Sequence, residues 1–159
     1  MRAEMQADNR FASWLGRLML RTVAASRYIT PFREGGSLPA LIEADDGELY
    51  VLKFCGAGQG VKALVAELIA GEIGRTLGLP IPELALVELE AGFGLNEPHE
   101  EIQDLLKASI GLNLGVRYLP SAFAYNPLMQ SPPAPDLASE IVWFDAYVTN
   151  VDRTPRNVN

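Results

Sequence analysis

Apolar and polar positions change their period several times along the chain, and each change marks an element. Phe11, Trp14, Leu15, Leu18 and Met19 recur at helical spacing. Two readings stand for this stretch: a short amphipathic helix docking on the core, or an extension ahead of a true start at Met19. Residues 1–20 are set apart as an N-terminal extension and 21–159 are read as one domain. Tyr28-Ile29-Thr30 is strand-like, Arg33 to Ser37 is a turn, and Leu38 to Ala44 is a second strand, with Pro39 tolerated near its start. Asp45-Asp46-Gly47 signals a hairpin, and Glu48 to Phe54 is a third strand.

Gly56 to Gly60 breaks that pattern. Val61 to Leu77 is the clearest helix, with Val61, Leu64, Val65, Leu68 and Ile69 as its apolar stripe and Gly78 and Pro80 as its stop. Leu84 to Leu89 and Leu112 to Leu119 read as strands, separated by a helix over Glu97 to Ala108 with Pro98 in its first turn. Asn126 to Pro135 is an exposed Pro-rich loop, and Leu137 to Val148 is a second strong helix. Strands and helices do not alternate, so a doubly wound sheet is set aside. The predicted class is α+β: an antiparallel sheet of about five strands with one packed helix, followed by a helical layer.

Composition narrows the function classes. Hydrophobic residues make up 48 %, enough for a real core. A net charge of -7 argues against general nucleic-acid binding and against a polybasic membrane anchor. No apolar run approaches the roughly 20 residues of a membrane span. One Cys and one His leave neither an intramolecular disulfide nor a Cys/His zinc site, which favours a reducing, cytoplasmic compartment. Glu4, Asp8 and Arg17 make the N-terminus unlike a signal peptide.

The candidate chemistry begins at Lys53, which ends an apolar strand before the glycine-rich break. A lysine that grips phosphates needs a carboxylate to hold its flexible stem. Glu67 and Glu72 both lie on the following helix. At about 100° per residue, Glu72 falls on the apolar stripe, whereas Glu67 falls with Ala63, Ala70, Gly71 and Gly74 on a face of small residues. Periodicity does not choose between them. Gly35, Gly36 and Ser37 form a turn whose backbone N–H groups could approach an anion, although no Walker A ending is present. Asp152 and Asn157 have Asp-x-x-x-x-Asn spacing in a loop containing Pro155. In kinases that spacing sets a carboxylate beside the attacking hydroxyl and an amide oxygen on a metal ion. Asp145 and Asn150 share the spacing, but Asp145 lies inside the predicted helix, so their side chains are not expected to flank one loop.

Together these residues resemble the HipA-like kinases, in particular the stand-alone HipA-like kinase domain, distant relatives of phosphatidylinositol and protein kinases. The resemblance runs from about Tyr28 to Asn159. Its motifs are Arg33-Glu34-Gly35-Gly36-Ser37-Leu38-Pro39, Tyr50-Val51-Leu52-Lys53-Phe54, Ala66-Glu67-Leu68 leading to Leu77-Gly78-Leu79-Pro80, and Phe144-Asp145 through Asn150-Val151-Asp152-Arg153 to Asn157. It implies a kinase-like N-lobe with the start of a helical C-lobe. It also implies ATP and Mg2+ as cofactors, and transfer of the γ-phosphate to a hydroxyl, that of a protein Ser or Thr. By the resemblance Lys53 contacts the ATP phosphates, Glu67 is its partner, Asp152 is the catalytic aspartate and Asn157 the magnesium ligand. Asn150 and Arg153 shape the catalytic loop. Val116, Arg117, Tyr118 and Leu119 form the hinge whose backbone meets adenine. In the family a second magnesium-binding aspartate lies on a strand after this loop. The chain ends at Asn159 before any such strand, so a kinase domain incomplete at its C-terminus is expected. The rival reading is an inactive fragment or a nucleotide- or protein-binding module. An antitoxin-like partner would rest on family analogy alone.

Overall fold

The computed structural model describes residues 20–32, 37–123, 128 and 132–153. The helix expected over Phe11 to Met19, the turn residues Gly35 and Gly36, Asn157, and most of the loop from Asn126 lie outside the described residues. The elements run β1 (Arg21–Pro31), β2 (Ala40–Ala44), β3 (Leu49–Lys53), α1 (Gly60–Thr76), β4 (Leu84–Leu89), α2 (Glu100–Ala108), β5 (Gly111–Arg117) and α3 (Pro135–Tyr147).

The α+β class and a sheet of five strands hold, but the sheet is not the open, antiparallel N-lobe sheet expected from the sequence. It closes into a barrel in the order β1-β2-β3-β5-β4. The cause is β1, an 11-residue strand that begins at Arg21 rather than Tyr28. Its second half pairs antiparallel with β2, from Ala25↔Ala44 to Pro31↔Ala40. Its first half pairs in parallel with β4, from Arg21↔Ala85 to Ala24↔Glu88. Register shifts between Ala25 and Arg27 and between Tyr28 and Thr30 bend the strand around this corner. Closure leaves no row of unpaired strand-edge groups.

Side chains alternate across the barrel wall. Ile42, Tyr50, Leu52, Val87 and Leu89 point inward and are essentially inaccessible to solvent. The helix α2 links β4 to β5 at one barrel end and joins the same core through Ile102 and Leu106. The opposite end carries ion pairs. Arg21 meets Glu83 at 2.8 Å and Asp46 at 3.5 Å, and Arg117 meets Glu48 at 2.5 Å and Glu83 at 3.4 Å.

Outside the wall, α1 lies against β4 through its small residues. A Cβ placed on Gly71 would stand 2.5 Å from Leu84 Cδ1, and one on Gly74 would strike Ile81 and the ring of Phe144. The expected apolar stripe is therefore buried only in part, at Leu64 and Leu68. Val61, Val65 and Ile69 remain 58 %, 47 % and 55 % exposed. Close approach of the helix axis wins over burial of its larger side chains. At its C-terminus Gly78 adopts φ 90°, and Leu79 N–H reaches back to Gly74 C=O at 3.0 Å, which stops the helix.

Candidate functional site

Lys53 is the last residue of β3 and pairs with Leu114 of β5. Paired residues share a face. Lys53 therefore projects from the outer wall, alongside the Val51–Val116 pair two residues earlier. The small-residue face of α1 brings Glu67 onto the same spot. Lys53 Nζ donates to Glu67 Oε1 at 2.5 Å, and the two side chains keep 32 % and 36 % of their surface exposed. A half-exposed pair of this kind contributes at most about 1 kcal/mol to stability. Its main physical effect is to fix the amine in one direction. Glu72, the alternative left open by periodicity, pairs instead with Arg75 at 2.7 Å on its own helix.

The chain directly after Lys53 is held by two buried polar side chains that the sequence reading did not single out. Asn113 points into the barrel end plugged by α2 and is 2 % exposed. Its Oδ1 accepts from Cys55 N–H at 2.8 Å, and its Nδ2 donates to Ser109 C=O at 2.8 Å and Gly111 C=O at 2.9 Å. Ser109 is fully buried; its Oγ accepts from Gly56 N–H at 3.2 Å and donates to Leu105 C=O at 2.7 Å. An amide side chain amid the apolar Leu112–Leu114 run was the available signal. The Lys53 end of the barrel also receives the β1–β2 connection, because Pro31 pairs with Ala40 and Ala40 with Leu52. Ser37 belongs to that connection and is partly buried.

Val116 to Leu119 lies toward the other end of the barrel. Tyr50↔Arg117 and Lys53↔Leu114 are three residues apart, about 10 Å along the strand. Arg117 N–H donates to Glu83 C=O and Tyr118 N–H to Leu49 C=O, both at 2.8 Å. Desolvation works against the Arg117 charge, but the Glu48 and Glu83 carboxylates overcome it and raise its pKa above the ordinary value. Arg21 and Asp46 converge on Tyr50, whose hydroxyl accepts from Arg21 at 3.1 Å and donates to Asp46 at 2.8 Å. Burial first, and then Asp46, push its phenol up to about 12.

The turn after α3 is exposed. Asp152 N–H donates to Asn150 Oδ1 at 3.2 Å, and no hydrogen bond or ion pair engages the Asp152 carboxylate among the described residues. Asp145 and Asn150, expected not to flank one loop, are in direct contact: Asn150 Nδ2 donates to Asp145 Oδ1 at 2.9 Å. Arg153 Nε donates to the other oxygen of Asp145 at 2.5 Å. The helix stops at Tyr147, within one residue of the end expected from the sequence, but the chain then folds back onto Asp145, which the sequence did not predict. Among the described residues no hydrogen bond or ion pair joins this turn to Lys53 or Glu67, and no cluster of three His, Cys, Asp or Glu could hold a metal ion. No described helix is long and apolar enough to cross a membrane.

The family model described as HipA-like kinase matches residues 26–159. No curated protein and no solved structure matches the chain.

Proposed function

From the premise that the chain belongs to the HipA-like kinase family, we propose that it transfers the γ-phosphate of ATP to a hydroxyl, that of a Ser or Thr on a protein. The observation that carries the reading is the 2.5 Å ion pair between Lys53 on β3 and Glu67 on α1. A lysine stem has four rotatable carbons, and a fixed carboxylate removes most of that freedom before a phosphate arrives. In this reading Lys53 then meets the phosphates as a point charge, and Gly35, Gly36 and Ser37 offer backbone N–H groups to them. Adenine lies toward Leu119, since the Arg117 and Tyr118 N–H groups are already used within the fold.

Asp152 takes the proton of the attacking hydroxyl. The hydroxyl oxygen bonds to the γ-phosphorus, the bond to the β–γ bridging oxygen breaks, and ADP leaves. Asn157 would supply an amide oxygen, a hard donor of the kind magnesium takes. Magnesium, when bound, neutralises charge on the phosphates. One Cys favours a cytoplasmic protein, and the acidic balance argues against a nucleic-acid partner.

The test is nucleotide binding and phosphate transfer with magnesium and labelled ATP, on the wild-type chain and on Lys53→Ala, Glu67→Gln and Asp152→Asn. Loss of nucleotide affinity in the first, a smaller loss in the second, and loss of turnover with affinity retained in the third are expected. Transfer that survives both Lys53→Ala and Asp152→Asn would remove these residues from the mechanism. Nucleotide binding with no turnover in any form leaves a binding module.

A further inference from the structure

We propose that Asp145 is a positioning residue, whose carboxylate holds the Asn150–Arg153 turn in the conformation that presents Asp152. The inference deepens the phosphotransferase reading and rests on it for its catalytic part.

Asp145 sits near the end of α3 with its side chain 15 % exposed. Both carboxylate oxygens are occupied, Oδ1 by the Asn150 amide at 2.9 Å and Oδ2 by Arg153 Nε at 2.5 Å. Asn150 passes the constraint on, because its Oδ1 accepts the Asp152 N–H at 3.2 Å. A continuous relay therefore runs from the helix to the backbone of Asp152. The backbone shows that the turn is held and not merely allowed. Asn150 N–H bonds to Asp145 C=O at 2.8 Å and Thr149 N–H to Ala146 C=O at 3.3 Å, the pair of bonds that ends a helix in a Schellman motif. That motif needs a residue in the left-handed region. Here it is Thr149, at φ 57°, a β-branched side chain for which that region is strained. Strain persists only where surrounding contacts over-determine it. Asp145 supplies three of those contacts, one through its carbonyl and two through its carboxylate. The two aspartates thereby divide the work. Each Asp145 oxygen is bound to a donor of the turn, whereas the Asp152 carboxylate is unengaged among the described residues.

The test uses the whole chain and three variants: Asp145→Asn, Asp145→Ala and Lys53→Ala. Asparagine keeps the shape but offers one acceptor where two donors need one each. Amide hydrogen exchange is followed at Asp152 and, as the helix control, at Val148, which bonds to Phe144 C=O at 2.9 Å. The expected result is exchange at Asp152 faster by about tenfold in Asp145→Asn, the loss of one charge-assisted bond. Exchange at Val148 is unchanged. With magnesium and ATP, kcat falls by about tenfold while the KM for ATP stays within about twofold, since the Lys53–Glu67 pair is untouched. Exchange at Asp152 within about twofold of wild type overturns the proposal, and so does protection lost equally at Asp152 and Val148, which makes Asp145 part of the helix and nothing more. Faster exchange with kcat unchanged also overturns it. The Lys53→Ala arm separates the two levels. If nucleotide affinity is unaltered there, the phosphotransferase reading fails, and exchange at Asp152 still decides whether Asp145 holds the turn.

Discussion

Replacing Asn113 by Ala removes three hydrogen bonds at once, to Cys55 N–H, Ser109 C=O and Gly111 C=O. The side chain is 2 % exposed, so a cavity lined by three backbone polar groups is left behind. An unsatisfied buried backbone group costs about 1–3 kcal/mol. Cys55 and Gly111 are only partly buried, so water can reach their side of the cavity and recover part of the cost. A net loss of about 3 kcal/mol follows, a large share of the roughly 5–15 kcal/mol that holds a domain together. Urea unfolding reads it as a lower midpoint at constant slope. Asn113→Asp should be no better than Ala at neutral pH. It keeps the acceptor for Cys55 N–H but turns an oxygen toward the Ser109 and Gly111 carbonyls. Amide exchange at Cys55 should rise more than at Leu52, whose bonds lie in the ladder. A loss under about 1 kcal/mol for Ala, or equal exchange gains at both amides, would refute the idea that Asn113 clamps the chain after Lys53.

Tyr50 gives a pH test. Its phenol is held at about 12 in the fold against the ordinary 10.0, so the folded state keeps the proton longer. This contribution is fully present below pH 10 and is lost as pH rises toward 12, a change on the order of 2 kcal/mol. The stability gap between wild type and Tyr50→Phe should narrow between pH 9 and pH 12, and a constant gap would exclude the effect. A Cβ on Gly56 meets backbone atoms of Ala108 at 2.8 Å, whereas one on Gly58 meets nothing within 4 Å. Gly56→Ala should therefore cost about 2–3 kcal/mol by urea unfolding and Gly58→Ala almost nothing. Thr149→Gly relieves a left-handed threonine and should raise stability by about 0.5–1 kcal/mol, after the entropy glycine adds to the unfolded chain; a lower midpoint would show that the threonine methyl packs usefully.

What could be read from the sequence depended on whether the deciding contact was local. The strand over Leu84 to Leu89 and the long helix after Gly60 were legible because alternation, helical period and the Gly78–Pro80 stop are all written within a few residues. Strand β1 was not, since Ala24-Ala25-Ser26-Arg27 carries little β preference and Arg21 to Ala24 become strand by pairing with residues some sixty positions away. Barrel closure depends on that one non-local ladder. The face of α1 failed for a different reason. Periodicity separates two faces but does not say which is pressed to the sheet, and here two glycines outweigh three large aliphatic side chains. Asp145 was passed over on the assumption that a helical residue points away from the loop that follows. A left-handed Thr149 reverses the chain and cancels that geometry.

The packing of α1 through its small face bears on the site itself. A helix packed through large aliphatic side chains stands about 10 Å from its sheet, and side-chain volume sets the gap. A helix packed through Gly71 comes closer, and its position is set by one contact with Leu84. Glu67 lies one helical turn before Gly71 and Leu84 lies on the strand beside β5. The distance between Glu67 and Lys53 is therefore determined by the glycine and by the barrel wall, with little slack from rotamers. The Asn113–Ser109 clamp fixes the chain on the far side of Lys53, directly before α1 begins. Lys53 is thus constrained from the sheet, from the helix and from the connection between them. An exposed stripe of Val61, Val65 and Ile69 is the cost of that arrangement in α1. The helix forgoes burial worth about 1.5–3 kcal/mol per fully buried aliphatic side chain, and its small face delivers one carboxylate to one amine.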